Sequence, residues 1–409
     1  MSSQTLNAEA LARVDINTAD VAGRTVFYRT DLNVPMADGM VTDTTRIDRT
    51  GIGIAALAER GARVVVAAHF GRPKGQHVDS LSLAPIAPVL SRSIGKDVRF
   101  VSDCIGDEAE AAIAAMQGGD LVLLENLRFH PEEESGDDDF ARALARPVDI
   151  YVNDTFSTSH RAHASIAPMA QLLPAYAGPL MTEELLALAA ALGSPRSPVA
   201  AVVGGAKVST KLAVLHNLIT KVDCLIIGGG MANTFLYAKG VAIGASLAEL
   251  DMADEARQIM AAAEDAGCRI LLPDDVVVAR AFAAGAAHRA VSVHDGDIEE
   301  NEMILDAGQN SITLAKAALD DARTLIWNGP MGAFEIEPFD AATVALARHA
   351  AELTREKGLI SIAGGGDTVA ALIAADAEKD FHYVSTAGGA FLEWMEGKSL
   401  PGVDALLKG

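Results

Sequence analysis

Short apolar runs alternate with amphipathic, helix-like segments along almost the whole chain. Runs such as "VVVAA" and "VAAVV" are apolar at every position rather than at alternate positions, which is typical of strands covered on both faces. Strands that alternate with helical segments indicate βαβ units and parallel sheets. The sequence therefore predicts an α/β fold of Rossmann-like, three-layer domains with mainly parallel sheets.

The pattern changes near residue 180. Prolines and glycines in "LPAYAGPL" punctuate the end of the first half, and a Ser/Pro segment follows Gly193. Between them, Thr182 is predicted to cap a helix that runs to Leu192. We predict a first domain over residues 1–180 and a second over 181–397, which begins with an interdomain helix near 182–192.

In the first half, the predicted strands end in polar side chains. These are Asp31 and Asn33, His69 and Arg72, Glu125, Asn126 and Arg128, and Asn153, Asp154, His160, Arg161 and His163, with Arg46 in the loop after the first strand. A single arginine after a strand is usually a solvated surface charge. Arginines at successive strand ends meet at one edge if the strands share a sheet, and arginine recognises carboxylate or phosphate in a planar, bidentate way. The pattern predicts an anion site.

In the second half, the corresponding positions carry glycine. The strand-like runs lead into "GGAK", "GGGMANTF", "NGPMGAFE", "GGGDT" and "STAGGA". Glycine lets backbone N–H groups approach a phosphate or a flat base closely and tolerates positive φ. Repeated glycine-rich strand ends indicate a nucleotide site lined by backbone.

The segment "VVGGAKVSTK" resembles a phosphate-binding loop without matching it, because Ala206 rather than glycine precedes Lys207. A helix is predicted over residues 209–221, with Lys207 just before it and Lys211 in its first turn. Cations at a helix start oppose the helix dipole, so the arrangement favours a bound anion over two solvated lysines. Asp367 in "GGGDT" is either a helix N-cap or a ligand of Mg²⁺ beside bound phosphates.

Composition limits the possible partners. The chain has 409 residues, of which 50% are apolar, and its net charge of −22 opposes binding to nucleic acid. Its 3 cysteines are widely separated and are expected to be buried, reduced thiols of a cytoplasmic protein. The start "MSSQTLNAEALARVD" lacks the pattern of a signal peptide, and no apolar run reaches the length of a membrane span.

Several further motifs fail their context. "GIGIAA" matches a dinucleotide fingerprint, but a polar segment rather than a strand precedes it. "EEESGDDD", residues 132–139, lacks the spacing of a calcium loop and is predicted to be a solvated loop that leads into a helix. His160 and His163 lack a third metal ligand nearby, and Arg161 between them favours an anion.

Taken together and in order, "RTDLNVP", "HFGRPKG", "LLENLRFHPEE", "NDTFSTSHRAHAS", "VVGGAKVSTK", "GGGMANTF", "WNGPMGAFE", "GGGDT" and "STAGGAFLEWMEGKSLPGV" resemble the phosphoglycerate kinase family. The resemblance covers essentially the whole chain. It implies two domains joined by a hinge, with the tail 398–409 returning to the first. It also implies a cytoplasmic monomer that transfers a phosphoryl group between 1,3-bisphosphoglycerate and ADP with Mg²⁺.

The resemblance also assigns residues. For 3-phosphoglycerate it implies Asp31, Leu32, Asn33, Arg46, His69, Phe70, Gly71, Arg72, Arg128 and Arg161. For the nucleotide it implies Gly205, Lys207, Lys211, Asn328, Pro330, Glu335, Gly365, Gly366, Asp367 and Thr368, with Asp367 on the metal and Glu335 on the ribose. Arg46, Lys207 and Lys211 are the implied catalytic residues. Thr30, Phe70 and Ala387 depart from the family pattern, and none of them removes a charged group.

Two rival functions remain at this point. A non-catalytic relative that binds nucleotide or a protein partner is disfavoured because Arg46, Lys207 and Asp367 are all present. A kinase for another small carboxylate is disfavoured because several arginines together with His69 indicate a substrate that carries both phosphate and carboxylate.

Overall fold

The structure, a computed structural model, describes residues 8–408 and divides into two compact units. The first unit extends to Leu186 and also includes the chain from Ser399 onward, and the second is Ala187–Lys398. Residues 1–7 and 409, which the predicted domain ranges include, lie outside the described part of the chain. The predicted α/β fold with mainly parallel sheets is confirmed in both units.

The first unit is built on a six-stranded parallel sheet with the order β5-β6-β4-β1-β7-β8. Its strands, with the small antiparallel pair β2 and β3, are β1 Thr25–Thr30, β2 Met36–Ala37, β3 Met40–Val41, β4 Arg63–Ala67, β5 Val98–Val101, β6 Leu121–Leu124, β7 Ile150–Asp154 and β8 Ala175–Ala177. Its helices before the unit boundary are α1 Ala8–Val14, α2 Thr45–Glu59, α3 Ala87–Ile94, α4 Gly106–Ala114, α5 Pro131–Ser135, α6 Asp138–Ala145 and α7 Ala167–Ala170.

The apolar runs of the sequence become the centre of this sheet. Every residue of β1 is buried, and β6 is buried throughout. One core cluster joins alternate residues of β1, β4 and β7 to the apolar face of α2, including Ile47, Ile54 and Leu57. The "GIGIAA" motif lies inside α2, so it is part of a packed helix and not a dinucleotide-binding turn.

Helix α8 Pro179–Leu188 crosses the boundary between the units, and a π-helical turn, Ala189–Gly193, follows it. The predicted start of this helix at Thr182 is wrong. Proline suits the first turn of a helix, and the cap comes from another element, because Oδ1 of Asp154 accepts a hydrogen bond from the backbone N of Met181 at 3.0 Å.

The second unit contains a parallel sheet with the order β11-β10-β9-β15-β16-β17 and an antiparallel sheet with the order β13-β12-β14. Its strands are β9 Val199–Val203, β10 Cys224–Ile227, β11 Arg269–Leu271, β12 Asp275–Ala279, β13 His288–Ser292, β14 Met303–Ala307, β15 Thr324–Asn328, β16 Ile360–Gly364 and β17 Tyr383–Ser385. Its helices are α9 Leu212–Leu218, α10 Gly229–Ala238, α11 Ala253–Asp265, α12 Gln309–Asp321, α13 Ala341–Lys357, α14 Gly366–Ala374 and α15 Gly388–Met395.

The last helix, α16 Pro401–Lys408, belongs to the first unit. The backbone N of Gly402 donates to the carbonyl oxygen of Ser159 at 2.9 Å, and a Cβ at Gly402 would lie 2.7 Å from a methyl group of Ile166. Glycine therefore lets this helix pack closely on the segment after β7. Within residues 8–408, no helix has the length and apolar character needed to cross a bilayer.

Candidate functional site

Basic side chains gather at the carboxyl end of the first sheet. The strands β6, β4, β1 and β7 are consecutive in that sheet and parallel, which is the condition on which the predicted cluster depended. Asp31 and Asn33 follow β1, His69 and Arg72 follow β4, Arg128 lies in a 3₁₀ turn after β6, and Arg161 follows β7. Ligands of parallel α/β sheets bind at this end.

Asp31 organises the centre of this cluster. Nη1 of Arg46 donates to Oδ1 of Asp31 at 3.0 Å and to the backbone oxygen of Asn33 at 2.8 Å. The hydroxyl of Ser157 donates to the other carboxylate oxygen at 2.7 Å. Burial raises the pKa of Asp31, but the charge of Arg46 and the hydrogen bonds from Ser157 and the backbone of Asn33 lower it, and the net effect is a lowered pKa. Asp31 is therefore ionised and orients Arg46, whose side chain stays 40% exposed.

Asn126 ties the loop after β4 to the turn after β6. Its side-chain oxygen accepts hydrogen bonds from the backbone N of Phe70 and of Arg128, each at 3.1 Å, and its amide nitrogen donates to the oxygen of Phe70 at 2.7 Å. Nη1 of Arg128 donates to the oxygen of Gly71 at 2.8 Å, and its Nε lies 3.3 Å from a carboxylate oxygen of Glu134. This network fixes the position of the Arg128 guanidinium.

The remaining predicted residues of this cluster differ in burial. Leu32 and Phe70 are buried in the core beneath the cluster, and Arg72 and Arg161 are exposed at its rim. Gly71 has φ +61, and a Cβ there would lie 2.7 Å from a methyl group of Leu81. Its backbone N donates to Oδ1 of Asn33 at 3.0 Å, which joins the loops after β1 and β4.

Three other polar residues at the strand ends form hydrogen bonds that stabilise the fold. Glu125 accepts hydrogen bonds from the hydroxyl of Ser82 at 2.6 Å and the backbone N of Leu83 at 2.8 Å. Asn153 donates to the hydroxyl of Ser159 at 3.1 Å. Asp154 caps α8, and burial raises its pKa to about 6.

A buried ion pair that the sequence analysis missed supports the cluster. Arg29 and Glu133 have 0% exposed side chains, and Nη2 of Arg29 lies 3.9 Å from Oε1 of Glu133. Ser165 joins them, because its hydroxyl donates to Glu133 at 2.6 Å and accepts from Nε of Arg29 at 2.9 Å. Glu133 was predicted to lie in a solvated loop, and this prediction is wrong. The available signal was an arginine inside the apolar strand "TVFYRT".

Burial and the neighbouring arginines determine the protonation of two histidines in this cluster. Nη2 of Arg29 lies 3.4 Å from Nδ1 of His69. Burial and the charge of Arg29 hold the pKa of His69 well below its usual range, and burial and Arg128 lower the pKa of His163 to about 3. His69 is therefore neutral at physiological pH. Nδ1 accepts from Arg29, which leaves the Nε2 hydrogen for a ligand.

The glycine-rich segments meet at the carboxyl end of the second sheet, as predicted. A glycine directly follows each of the strands β9, β10, β15 and β16; these are Gly204, Gly228, Gly329 and Gly365. The loop after β17 ends at Gly388, where α15 begins. Between β9 and β15, a Cβ on Gly204 would collide with the carbonyl oxygen of Pro330, and one on Gly329 with the oxygen of Gly204. Glycine is therefore required where these two loops cross.

Lys211 joins the same two loops. Its Nζ donates to the oxygen of Gly204 at 2.6 Å and to the backbone and side-chain oxygens of Asn328 at 2.9 and 2.6 Å. Burial lowers its pKa to about 8. A phosphate would have to replace one of these acceptors to bind Lys211, whereas Lys207 is exposed.

The helix after Lys207 begins later than predicted. Helix α9 starts at Leu212, so Lys211 precedes it rather than lying in its first turn. Side chains hold residues 207–210 in a different turn: the hydroxyl of Thr210 donates to the oxygen of Lys207 at 2.9 Å, and the backbone N of Ser209 donates to Glu249 at 2.9 Å. Such bonds compete with helix formation.

Replacing Lys211 by methionine is expected to lower the free energy of unfolding of the second unit by about 1–3 kcal/mol, because the acceptors of Gly204 and Asn328 lose their donor. Both tryptophans, Trp327 and Trp394, lie in this unit, so thermal unfolding followed by tryptophan fluorescence measures the change. Exposed Lys239→Met is the matched control. Equal melting temperatures for the two variants would contradict this role of Lys211.

Asp367 and Thr368 lie at the start of α14. The N-cap alternative for Asp367 is wrong, because Gly365, with φ +99, occupies that position and Asp367 lies in the first turn with an exposed side chain. The hydroxyl of Thr368 accepts from the backbone N of Gly329 at 2.7 Å. The amide of Asn328 donates to Gly364 at 2.7 Å. These contacts fix the loop and leave the Asp367 carboxylate facing solvent.

A cavity of about 460 Å³ adjoins these loops and is lined by Gly205, Pro330, Glu335 and Asp367 together with Leu247 and Phe282. It therefore brings together four of the predicted nucleotide residues. Lys211, Asn328 and Thr368 form the hydrogen-bonded loops beside it. Leu247 and Phe282 are 58% and 57% exposed, and sequence reasoning missed both. A mostly apolar cavity with a few polar groups suits a flat base and a ribose.

A buried carboxyl group, Asp306, also lines this cavity. Its Oδ2 accepts from the backbone N of Ala342 at 2.9 Å, in the first turn of α13. Burial raises its pKa to about 7, against the opposing effect of its hydrogen bonds from Ala342 and Ala307. Native Asp306 therefore binds its proton more tightly than the unfolded chain, where the pKa is about 3.9.

This difference predicts a pH dependence. The stability that protonated Asp306 contributes is present below about pH 4 and is lost as the pH rises through about 7. The variant Asp306→Asn lacks this titration. As the pH rises from 4 to 8, the free energy of unfolding of this variant is expected to increase relative to that of the wild type. The increase is about 1.4 kcal/mol per unit of difference between the native and unfolded pKa. Guanidinium denaturation across this range measures the gain, and parallel profiles would contradict it.

Comparison with known proteins places this geometry in a family. The family model of phosphoglycerate kinase matches residues 16–398. A phosphoglycerate kinase from a Chelativorans species is 57% identical over 389 residues, which are 95% of this chain and 97% of the relative. One from Sinorhizobium fredii is 58% identical with the same coverage.

Solved structures agree. Phosphoglycerate kinase from Coxiella burnetii superposes with a TM-score of 0.91 at 41% identity, covering 96% of this chain and 98% of that one. The enzyme from Pyrococcus horikoshii gives a TM-score of 0.76 at 30% identity, with the same coverage. The resemblance read from the motifs is confirmed, and the chain belongs to the phosphoglycerate kinase family.

Proposed function

We propose that this chain carries out the reaction of its family: reversible phosphoryl transfer between 1,3-bisphosphoglycerate and ADP, giving 3-phosphoglycerate and ATP, in glycolysis and, in reverse, in gluconeogenesis. It is a phosphotransferase with a carboxyl group as acceptor. The observation that carries the proposal is the basic cluster on the first sheet, with Arg46 held by Asp31 and Arg128 held by Gly71. Such a cluster suits a small substrate with both phosphate and carboxylate groups.

The first unit would bind 3-phosphoglycerate. Arg72, Arg128 and Arg161, with the Nε2 hydrogen of His69, would hold the carboxylate and the phosphate that does not react. Asp31 and Asn33 would accept hydrogen bonds from the substrate hydroxyl or orient the arginines. Leu32, Phe70 and Gly71 would present their backbone. Arg46 is the group assigned to the transferring phosphoryl.

The second unit would bind the nucleotide in the cavity beside the glycine-rich loops. Glu335 would reach the ribose, Pro330 and Gly205 would line the base and sugar, and the loop Gly365, Gly366, Asp367 and Thr368 would face the phosphates. Lys207 would contact the transferring group. Lys211 and Asn328 would hold the phosphate loops, and Lys211 would exchange one carbonyl partner for a phosphate oxygen.

Asp367 fits a ligand of Mg²⁺, because its exposed carboxylate stands beside the proposed phosphate positions and Mg²⁺ prefers one or two carboxylates with phosphate oxygens. When bound there, Mg²⁺ would neutralise charge on the nucleotide phosphates. The protein's own contribution is position and positive charge. The acceptor carboxylate is already ionised at neutral pH, so a general base is not required. Transfer would be direct and in line, with no phosphoenzyme.

Because the two proposed sites lie on different units, we propose that the units close about a hinge when both substrates are bound, which would also exclude water and prevent hydrolysis. We expect a cytoplasmic monomer. Solution scattering of the protein with both 3-phosphoglycerate and a non-hydrolysable ATP analogue should show a smaller radius of gyration than either binary complex. An unchanged radius in the ternary complex would count against closure.

A coupled assay tests the reaction. The purified protein is supplied with MgATP and 3-phosphoglycerate, and a dehydrogenase that consumes 1,3-bisphosphoglycerate reports turnover as NADH oxidation. We expect turnover in the wild type and in Lys239→Ala, and its loss in Lys207→Ala. If the folded wild type binds MgATP but shows no turnover, the chain keeps a nucleotide site and its substrate or function has changed.

A further inference from the structure

A cluster outside both proposed sites has the donor atoms of a metal centre. We propose that Asp103, Cys104 and His130 form a binding site for a zinc-class divalent cation in the first unit. One ligand atom from each residue lies within 4.8 Å of the other two. The proposal concerns binding of the cation and is independent of the proposed reaction.

The topology of the sheet explains why these residues meet. Asp103 and Cys104 follow β5, and His130 follows the 3₁₀ turn after β6. β5 and β6 are paired in parallel at one edge of the sheet. Both loops therefore leave the sheet at the same end of neighbouring strands. His130 in the second loop lies two residues after Arg128.

The distances suit a small cation after modest movement. Nε2 of His130 lies 2.8 Å from Oδ1 of Asp103. Tetrahedral zinc, with bonds of about 2.0–2.3 Å, places its ligand atoms about 3.3–3.8 Å apart. To bind zinc, the histidine nitrogen and the carboxylate oxygen would have to separate slightly, and the sulfur, which lies within 4.8 Å of both, would have to approach them.

The donor set selects the type of cation. Sulfur, imidazole nitrogen and carboxylate oxygen are the ligands of zinc, whereas Mg²⁺ prefers oxygen throughout. Cys104 is 4% exposed, so its sulfur forms the closed side of the site. The side chains of His130 and Asp103 are 28% and 46% exposed, which leaves an open side for entry and for water as a fourth ligand.

Neighbouring groups already hold two of the ligands in place. The backbone N of Cys104 donates to Oδ1 of Asp103 at 2.6 Å, which orients the carboxylate. The ring of His130 packs against Phe140 with 5.2 Å between centroids. Such outer contacts orient ligands and strengthen metal binding. The hydrogen bond between Asp103 and His130 does not by itself account for the buried thiol of Cys104 beside them.

Cobalt and zinc titrations of the full chain test the site. The protein is treated with a chelator and a non-thiol reductant, then titrated with Co²⁺ or Zn²⁺ in the presence of excess Mg²⁺. We expect one Co²⁺ per chain with a thiolate-to-cobalt absorption band in the near ultraviolet, and displacement of that band by Zn²⁺.

Variants assign the ligands. Cys104→Ser should abolish the band, and His130→Gln should weaken Zn²⁺ binding at least about tenfold. Cys224→Ser, which changes another buried cysteine in the second unit, should leave both unchanged. Circular dichroism shows whether each variant is folded. If Cys104→Ser does not fold, weaker Zn²⁺ binding by His130→Gln tests the site. Failure of the wild type to bind one Zn²⁺ in excess Mg²⁺, or a band that survives in Cys104→Ser, would overturn the proposal.

Discussion

Replacing Arg46 by alanine is expected to lower kcat for phosphoryl transfer about 100-fold or more, with a smaller change in KM for MgATP. In the proposed mechanism Arg46 stabilises charge on the transferring phosphoryl group, and loss of one preorganised donor to developing charge costs about 3 kcal/mol. The structure supports preorganisation: Asp31 and the backbone of Asn33 both accept hydrogen bonds from Nη1 of Arg46, and the side chain of Arg46 is 40% exposed.

Arg49→Ala is the matched control for this variant. Arg49 lies one turn further along α2, has a similar exposure of 43%, and pairs with Glu183 at 3.0 Å. Its removal changes the net charge equally without touching the proposed site, so kcat should stay near the wild-type value. Arg46→Lys should recover part of the loss, since lysine keeps the charge but not the bidentate geometry. Equal kcat for Arg46→Ala and Arg49→Ala would remove Arg46 from the proposed role.

Replacing Glu133 by glutamine is expected to lower the free energy of unfolding of the first unit by about 3–5 kcal/mol. The variant nearly preserves shape but leaves the guanidinium of Arg29 buried without its counter-charge, and breaking a buried pair in this way carries that cost. Both side chains are 0% exposed, so water cannot compensate. Amide hydrogen exchange in β1 and β7, which both lie in the first unit, measures this change in stability.

Two further variants separate charge from packing. Glu132→Gln removes the exposed carboxylate of the preceding residue and should be nearly neutral. The double variant Arg29→Met, Glu133→Leu removes both charges and should be less destabilised than the sum of its single variants. Exchange protection in Glu133→Gln equal to that in Glu132→Gln would show that the pair contributes little.

Local patterning was sufficient for the fold class and for much of the two candidate sites. Uniformly apolar runs predict strands buried on both faces, and the end of a parallel strand is where ligands bind. His69 and Arg128 could therefore be placed at one edge of a sheet before their neighbours were known. Arg46, which was predicted to lie in the loop after β1, lies instead in the first turn of α2. The glycine-rich strand ends could be grouped for the same reason.

Element boundaries were less predictable, because the groups that set them are distant in sequence. Helix α8 starts at Pro179 since Asp154 supplies its cap, and α9 starts at Leu212 since Ser209 binds Glu249 instead of continuing the helix. Sequence periodicity contains no information about such partners.

By itself, the sequence determined the α/β class, the strand ends that carry charge or glycine, and membership of the family. Only the tertiary structure decided which polar groups are buried and what they contact. It placed Glu133 beside Arg29 inside the first unit, gave Lys211 three oxygen acceptors in the second, and brought His130 to Asp103 and Cys104. The physical reason is that burial, hydrogen bonding and charge depend on neighbours in space, and the packing of the sheet chooses those neighbours.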